Sequence, residues 1–442
     1  MSEWQDVRLG DVADILVGFA FKSSRFSIDQ NDVRLLRGTN IHQGFTDWGQ
    51  EARWPLTEQY DARYQLGEGD VVLAMDRPWI EAGLKRARLR KSDLPALLVQ
   101  RVARLRGTEA ASTSFIHHTL ATEQFSRFLQ SQVTGATVPH ISQSQIASYP
   151  LKLPPSDVQE AICSVLNAFD DLIANSRQRV QVLEGMARAI YYEWFVKFRY
   201  PGHEDVPLVD SSFGPIPEGW AVHPISAVVD YHIGGGWGTE QEDPGSVEPG
   251  YVIRGTDIPR VARSDVSTVP FRFHGESNLR SRTLRHGDIV FEVSGGSKGQ
   301  PVGRSLLIRQ SLLDALDAPA MCASFCKLVR VNPDLVEPSI LIRLLQDAYS
   351  SGELNTYQVQ STGITNFKWK PFLEHFRVVL PPKRQQEEMV QVFDRLDDLI
   401  ANAGRSVGVL AEIRDMLLPK LVSGQIEVSS LDLDALLGDQ VA

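Results

Sequence analysis

One six-residue string occurs twice in the chain: Asp170-Asp171-Leu172-Ile173-Ala174-Asn175 returns as Asp397-Asp398-Leu399-Ile400-Ala401-Asn402, 227 positions later. Each copy lies in a stretch of helical spacing. Apolar or small residues fall at Leu166, Phe169, Ile173, Ser176, Val180, Leu183, Ala187, Ile190 and Trp194, and again at Phe393, Leu396, Ile400, Ala403, Val407, Leu410, Arg414, Leu417 and Leu421. The steps alternate three and four, the seam of a helix that packs along another helix. A surface helix needs apolar periodicity, but not the same letters in the same register, so the two stretches read as a duplicated unit. Leu153-Pro154-Pro155 precedes one and Leu380-Pro381-Pro382 the other. Proline is excluded from a helix interior and marks where each helix starts. Each stretch of about 40 residues would run roughly 60 Å.

The segments between the helices also echo each other. Arg37-Gly38-Thr39-Asn40-Ile41 returns as Arg254-Gly255-Thr256-Asp257-Ile258, and Gly69-Asp70-Val71-Val72 as Gly287-Asp288-Ile289-Val290. Asp70 to Ala74 and Leu97 to Val102 read as strands, and Phe115 to Leu129 as a helix capped by Thr113 or Ser114. The order is body, helix, body, helix. The expected fold is α+β with a pseudo-twofold internal repeat: two mixed α/β bodies joined by two long antiparallel coiled-coil helices. Expected boundaries are 1–152 for the first body, 153–200 for the central helical spacer, 201–379 for the second body, 380–426 for the C-terminal helical spacer and 427–442 for an acidic tail. The loops diverge while the frame repeats, as two sites of different specificity on one scaffold would.

Catalytic motifs are lacking. Ser294-Gly295-Gly296-Ser297-Lys298-Gly299 does not have the spacing of a phosphate loop. Neither Pro-Pro pair is preceded by Asp or Asn and followed by an aromatic, as an amino-methyltransferase requires. Asp288 and Glu292 lie close together, but Ser294 stands where a nuclease metal site would need Lys. His117-His118 reads as a partly exposed helical pair, and no metal site is expected. Cys163, Cys322 and Cys326 are too few for a disulfide framework, the N-terminus does not read as a signal peptide, and no apolar run spans a bilayer, so a cytoplasmic location is expected.

The net charge of −10 argues against a protein that simply coats DNA. The distribution softens this: residues 1–150 carry 17 basic and 17 acidic side chains, whereas residues 379–442 carry 6 and 11. Lys85-Arg86-Ala87-Arg88-Leu89-Arg90-Lys91 is a dense basic run. It reads either as a solvated edge strand or, with Arg77 just upstream, as a DNA-contact segment; the second reading is preferred. In the second body Arg280, Arg282, Lys298, Gln300 and Arg304 are the candidates, with a plain surface loop as the alternative. Tyr191, Trp194, Phe195 and Phe198 close the first helix. They read either as a plug into a body or as a docking surface for a partner.

These features together resemble the specificity subunits of type I restriction-modification systems. The resemblance rests on the stretch from Leu153-Pro154-Pro155 through Asp170-Asp171-Leu172-Ile173 to Trp194-Phe195-Val196-Lys197-Phe198, on Leu417-Leu418-Pro419-Lys420-Leu421-Val422-Ser423-Gly424-Gln425-Ile426, and on Arg37-Gly38-Thr39-Asn40-Ile41. It implies a non-catalytic DNA reader whose two target recognition domains each read one half of a split, asymmetric site in double-stranded DNA. The paired helices would space the halves and carry two methyltransferase (modification) subunits, and restriction/translocase subunits would complete the assembly. S-adenosylmethionine, ATP and Mg2+ would bind those partners, with none held by this chain. The alternatives are a subunit of a methylation-only or type IIB-like system, and a structural adaptor that binds proteins.

Overall fold

The computed structural model describes residues 4–431 apart from 50, 81–82, 133–138, 296–299 and 362. Lys298 and residues 432–442 of the expected tail lie outside the described residues. The chain forms two compact units, Met1–Leu172 with Leu410–Ala442, and Ile173–Val409.

In the first unit, β1 (Gln5–Arg8) pairs with β9 (Pro150–Leu153). A four-stranded sheet has the order β2 (Ala13–Val17), β8 (Val102–Gly107), β5 (Val71–Ala74), β6 (Arg86–Arg88). A three-stranded sheet has β3 (Val33–Leu36) between β4 (Arg53–Trp54), antiparallel, and β7 (Ala96–Leu98), parallel. The second unit repeats this plan strand for strand. Here β10 (Ala221–Pro224) pairs with β18 (Arg377–Leu380). The four-stranded sheet runs β11 (Val229–Gly234), β17 (Cys326–Val331), β14 (Ile289–Glu292), β15 (Ser305–Leu307). The three-stranded sheet has β12 (Glu248–Ile253) between β13 (Phe271–His274), antiparallel, and β16 (Ala320–Cys322), parallel. Each of these nine strands has its counterpart nine strands later; the hairpin Trp79–Ile80/Gly83–Leu84 of the first unit and two short sheets of the second lie outside the repeat.

The repeated letters have repeated physical jobs. Gly69 and Gly287 turn the chain at φ +84° and +85°, where a Cβ is strained, so both are glycine. The aspartate that follows each accepts a backbone N–H three residues back, Gly67 or Arg285, and binds an arginine of the neighbouring strand, Arg106 or Arg330. Asp288 is therefore a strand anchor and not part of a metal pair. The buried glutamine beyond each Pro-Pro pair is a clamp. Gln159 accepts from Ser112 N and donates to the carbonyls of Ala110 and Pro154; Gln386 accepts from Glu337 N and donates to those of Leu335 and Pro381.

Local expectations are corrected at two places. Leu97 to Val102 is not one strand. The chain leaves β7 and enters β8, in a different sheet, through a turn that holds Arg101 at φ +66°. The helix expected from Phe115 to Leu129 is two, Thr113–Ala121 and Glu123–Gln132. The cap of the first is Ser112, whose hydroxyl accepts from Phe115 N at 3.1 Å.

The two long helices cover Ser156–Tyr191 and Lys383–Val422, 36 and 40 residues. They run antiparallel: Asp170 meets Arg414 in the first unit and Trp194 packs on Phe393 in the second. Leu166, Phe169, Ile173, Val180, Phe393, Leu396, Ile400 and Leu410 are buried, and Leu183 and Val407 are half-buried, as seam positions require. The three cysteine thiols are buried, and burial pushes Cys322 up to about 12.

The aromatic group at the end of the central helix is a plug and not a docking surface. Tyr191 and Phe195 are buried and stacked, Phe195 and Phe198 pack against Trp220, and Trp194 sits on Phe393. The four rings are consumed by the second unit's own core, because burying them there gains more than a wet surface leaves for a partner. On this segment the exposed apolar side chains are instead Tyr192 and Val196.

Candidate nucleic-acid interface

The first aspartate of each repeated hexapeptide lies where its body meets the long helices. In the first unit Asp170 accepts from Arg414 Nη1 at 2.8 Å and lies 3.5 Å from His117 Nε2. One turn earlier the Asn167 amide oxygen accepts from Arg88 (2.9 Å), Ser114 (3.0 Å) and His118 Nε2 (3.0 Å). In the second unit Asp397, the counterpart of Asp170, binds Arg309 and Arg343, while Asp394, the counterpart of Asn167, accepts from Ser339 (2.6 Å) and Arg309 (3.0 Å). The hexapeptide repeats because it supplies the same polar joint twice.

The histidine pair is fully inside this joint, not partly exposed. Burial pushes His117 down to about 4 and His118 down to about 3, so both are neutral at physiological pH. Burial opposes ionisation of Asp170, but its hydrogen bonds with His117 and Arg414 hold its carboxyl below the ordinary range. Donor atoms of His117, His118 and Asp170 lie within 4.8 Å of one another. The buried Arg86 and the half-buried Arg414 flank the same carboxylate, and their positive charge disfavours a dication there.

The basic run therefore divides by strand alternation. Arg86 and Arg88 face the helical joint. Arg86 is buried and burial pushes it down to about 10, while Arg88 is bound to Asn167. Neither is a solvated edge residue: Arg86 is buried and the half-buried Arg88 is held by Asn167, so neither is offered to DNA. Lys85 is half-buried, and burial alone pushes its ammonium down. Arg90, Lys91 and Arg77 are exposed.

In the second unit Arg304 is also taken. Its Nε and Nη2 donate to the buried Glu292 at 2.8 and 2.6 Å. Arg282 donates to Gly234 O at 2.8 Å, which latches its helix to β11, and the exposed Arg280 lies 3.6 Å from Glu276 on its own helix. Gln300 is exposed and, with Arg304, lines a cavity of about 390 Å³. Arg254, Gly255, Glu292, Trp237 and Phe325 line it too, and Trp237 and Phe325 are 41% and 52% exposed. Sequence reasoning missed Trp237, Arg254 and Phe325. The signal for Arg254 was present, since Arg-Gly-Thr stands at matched places in both bodies.

An internally duplicated chain, with two sheet-based bodies docked by polar joints onto an antiparallel helix pair, defines a two-headed scaffold class. Residues 1–185 match the family model described as type I restriction modification DNA specificity domain. The chain is 39% identical over 174 residues to the type I restriction enzyme EcoAI specificity subunit of Escherichia coli, covering 38% of this chain and 28% of that relative. It is 32% identical over 192 residues to the MjaVIII specificity subunit of Methanocaldococcus jannaschii, covering 42% and 44%, and 28% identical to the EcoBI specificity subunit of Escherichia coli, covering 96% and 86%. The chain thus spans less than half the length of the first two relatives in these matches. The fold is that of the type I restriction-modification S subunit of M. genitalium, with TM-score 0.56 and 11% identity over 95% of this chain and 96% of that one. The chain is thus similar to type I restriction-modification specificity subunits, with the DNA specificity domain matched over residues 1–185.

Proposed function

We propose that the chain is the non-catalytic DNA-reading subunit of a type I restriction-modification complex, each body reading one half of a split, asymmetric site. One observation carries this: the same arrangement of nine strands is built twice, each copy docked on the long helices. Repeating a scaffold while varying its loops yields two readers and no new core. Arg77, Lys85, Arg90 and Lys91 in the first body, and Arg280, Gln300 and the residues around the cavity in the second, are the DNA-facing candidates. The partners of the reading are two methyltransferase subunits and the restriction/translocase subunits, which bring S-adenosylmethionine, ATP and Mg2+. The exposed Val182 and Met186, one turn apart on the central helix, favour a partner along its outer face. No helix among the described residues is long and apolar enough to cross a membrane.

The test is methylome sequencing of a host with and without this gene. A split motif that disappears with the gene supports the reading; an unchanged methylome defeats it. Salt titration of DNA binding by the assembled complex separates a reader from a protein-binding adaptor, because only phosphate contacts give a steep salt dependence.

A further inference from the structure

The two bodies can be aligned through backbone hydrogen bonds, without recourse to side-chain similarity. Ala74 N donates to Lys85 O at 3.0 Å, as Glu292 N donates to Arg304 O at 2.8 Å. Met75 N donates to Arg101 O, as Val293 N donates to Phe325 O, both at 2.8 Å. A Cβ added to Gly18 would meet Val99 O at 2.2 Å, and one added to Gly235 would meet Ala323 O at 2.2 Å, so the chain crosses itself at the same place in both. The cavity of the second body therefore has a counterpart in the first. Glu292 matches Ala74, Arg304 matches Lys85, and Phe325 matches Arg101.

The glycine of each Arg-Gly-Thr faces this matched pair. A Cβ on Gly38 would lie 3.7 Å from Ala74 Cβ and 4.0 Å from the Lys85 ammonium. A Cβ on Gly255 would strike the Glu292 carboxylate at 2.4 Å. In the second body the cation is bound by two hydrogen bonds to a carboxylate. In the first, an alanine methyl stands where that carboxylate would be. The Lys85 ammonium has three donors and no acceptor. It is recessed between glycine and alanine, while Arg77 and Arg90 stand exposed. A recessed cation that no hydrogen bond or ion pair among the described residues engages suits the edge of a base, whereas exposed cations suit phosphates.

We propose that this matched place is the base-reading site of the first body, with Lys85 reading the acceptor-rich edge of a guanine in the first half-site, whereas in the second body the matched cation is closed off by the buried Glu292 and is not offered to a base. Guanine N7 and O6 are the acceptors that a lysine reads in the major groove. The proposal rests on the DNA-reading function argued above.

The test compares the methylated site of the assembled complex carrying the wild-type chain, Lys85→Met, or Ala74→Glu, which recreates in the first body the carboxylate of the second. The expected result is one altered base position in one half of the motif, the same position for both variants, with discrimination there reduced by roughly tenfold or more and the other half unchanged. If Ala74→Glu does not fold, Lys85→Met decides alone. A motif unchanged in Lys85→Met overturns the proposal, and so does binding that weakens equally on all sequences, the mark of a phosphate contact. A wild-type complex that marks no split site overturns the DNA-reading function beneath it; a wild-type split site kept by the variants overturns this assignment alone.

Discussion

Acidification should loosen the joint between the first body and its helices, with the buried histidine pair as the cause. His117 and His118 carry folded-state values near about 4 and about 3, against 6.5 in an unfolded chain. A base with a depressed value prefers to stay neutral while folded. Its contribution is therefore complete above pH 6.5 and is lost as pH falls from there toward about 4. On going from about pH 7.5 to about pH 5.5, an imidazole released by opening gains roughly tenfold from protonation, and a folded one stays neutral. Two histidines give roughly a hundredfold, about 2.7 kcal/mol. Lowering of Asp170 acts in the same direction at lower pH, because its stabilisation also fades as protons are added. The assay is hydrogen–deuterium exchange of the helix Thr113–Ala121, corrected for the pH dependence of the chemical step. Wild-type protection should fall by roughly a hundredfold over this interval, and that of His118→Gln by roughly tenfold. Equal protection of the wild type at both pH values would refute the reasoning, since it would mean that the pair is already charged or never released by opening.

Gln159→Ala or Gln386→Ala should each destabilise its unit by about 2–4 kcal/mol in urea denaturation, because a backbone N–H and two carbonyls lose their partner. Replacing Arg77, Arg90 and Lys91 by Ala should weaken DNA binding by the complex and reduce its salt slope by about 0.9 for each phosphate that is no longer neutralised. Arg88→Ala should act first on thermal stability, as the Asn167 amide loses a charged donor. Phe195→Ala should cost about 3–5 kcal/mol of stability as a core truncation, and a variant that melts normally yet fails to bind partners would contradict the plug. Inserting four residues after Asn175 adds about 6 Å of helix; the expected methylated site has the same half-sequences and a gap one or two base pairs longer, read from the methylome at about 3.4 Å per base pair.

Much of the architecture was legible in the letters. A string repeated in register and a three-four seam from Leu166 to Trp194 and from Phe393 to Leu421 leave few alternatives to a duplicated helix pair, because helical periodicity is local and survives without tertiary context. The echoes at Gly69-Asp70 and Gly287-Asp288 are likewise local, a left-handed turn and the carboxylate that closes it. The fate of individual charges was not legible. Lys85, Arg86, Arg88 and Arg304 read alike as cations of basic or polar loops, yet Arg86 and Arg88 face a helix far away in sequence, Arg304 is bound by Glu292, and Lys85 remains half-buried beside Gly38. Strand alternation and long-range pairing decide which side of a sheet a cation occupies, and the carboxylate that neutralises it is set by which strands adjoin. Likewise Tyr191, Trp194, Phe195 and Phe198 looked equally suited to a core or an interface. Composition by itself determined that these rings must be covered; only the tertiary structure decided that the second unit's own Trp220 and Phe393 cover them, because burial is a property of neighbours and neighbours are set by the fold.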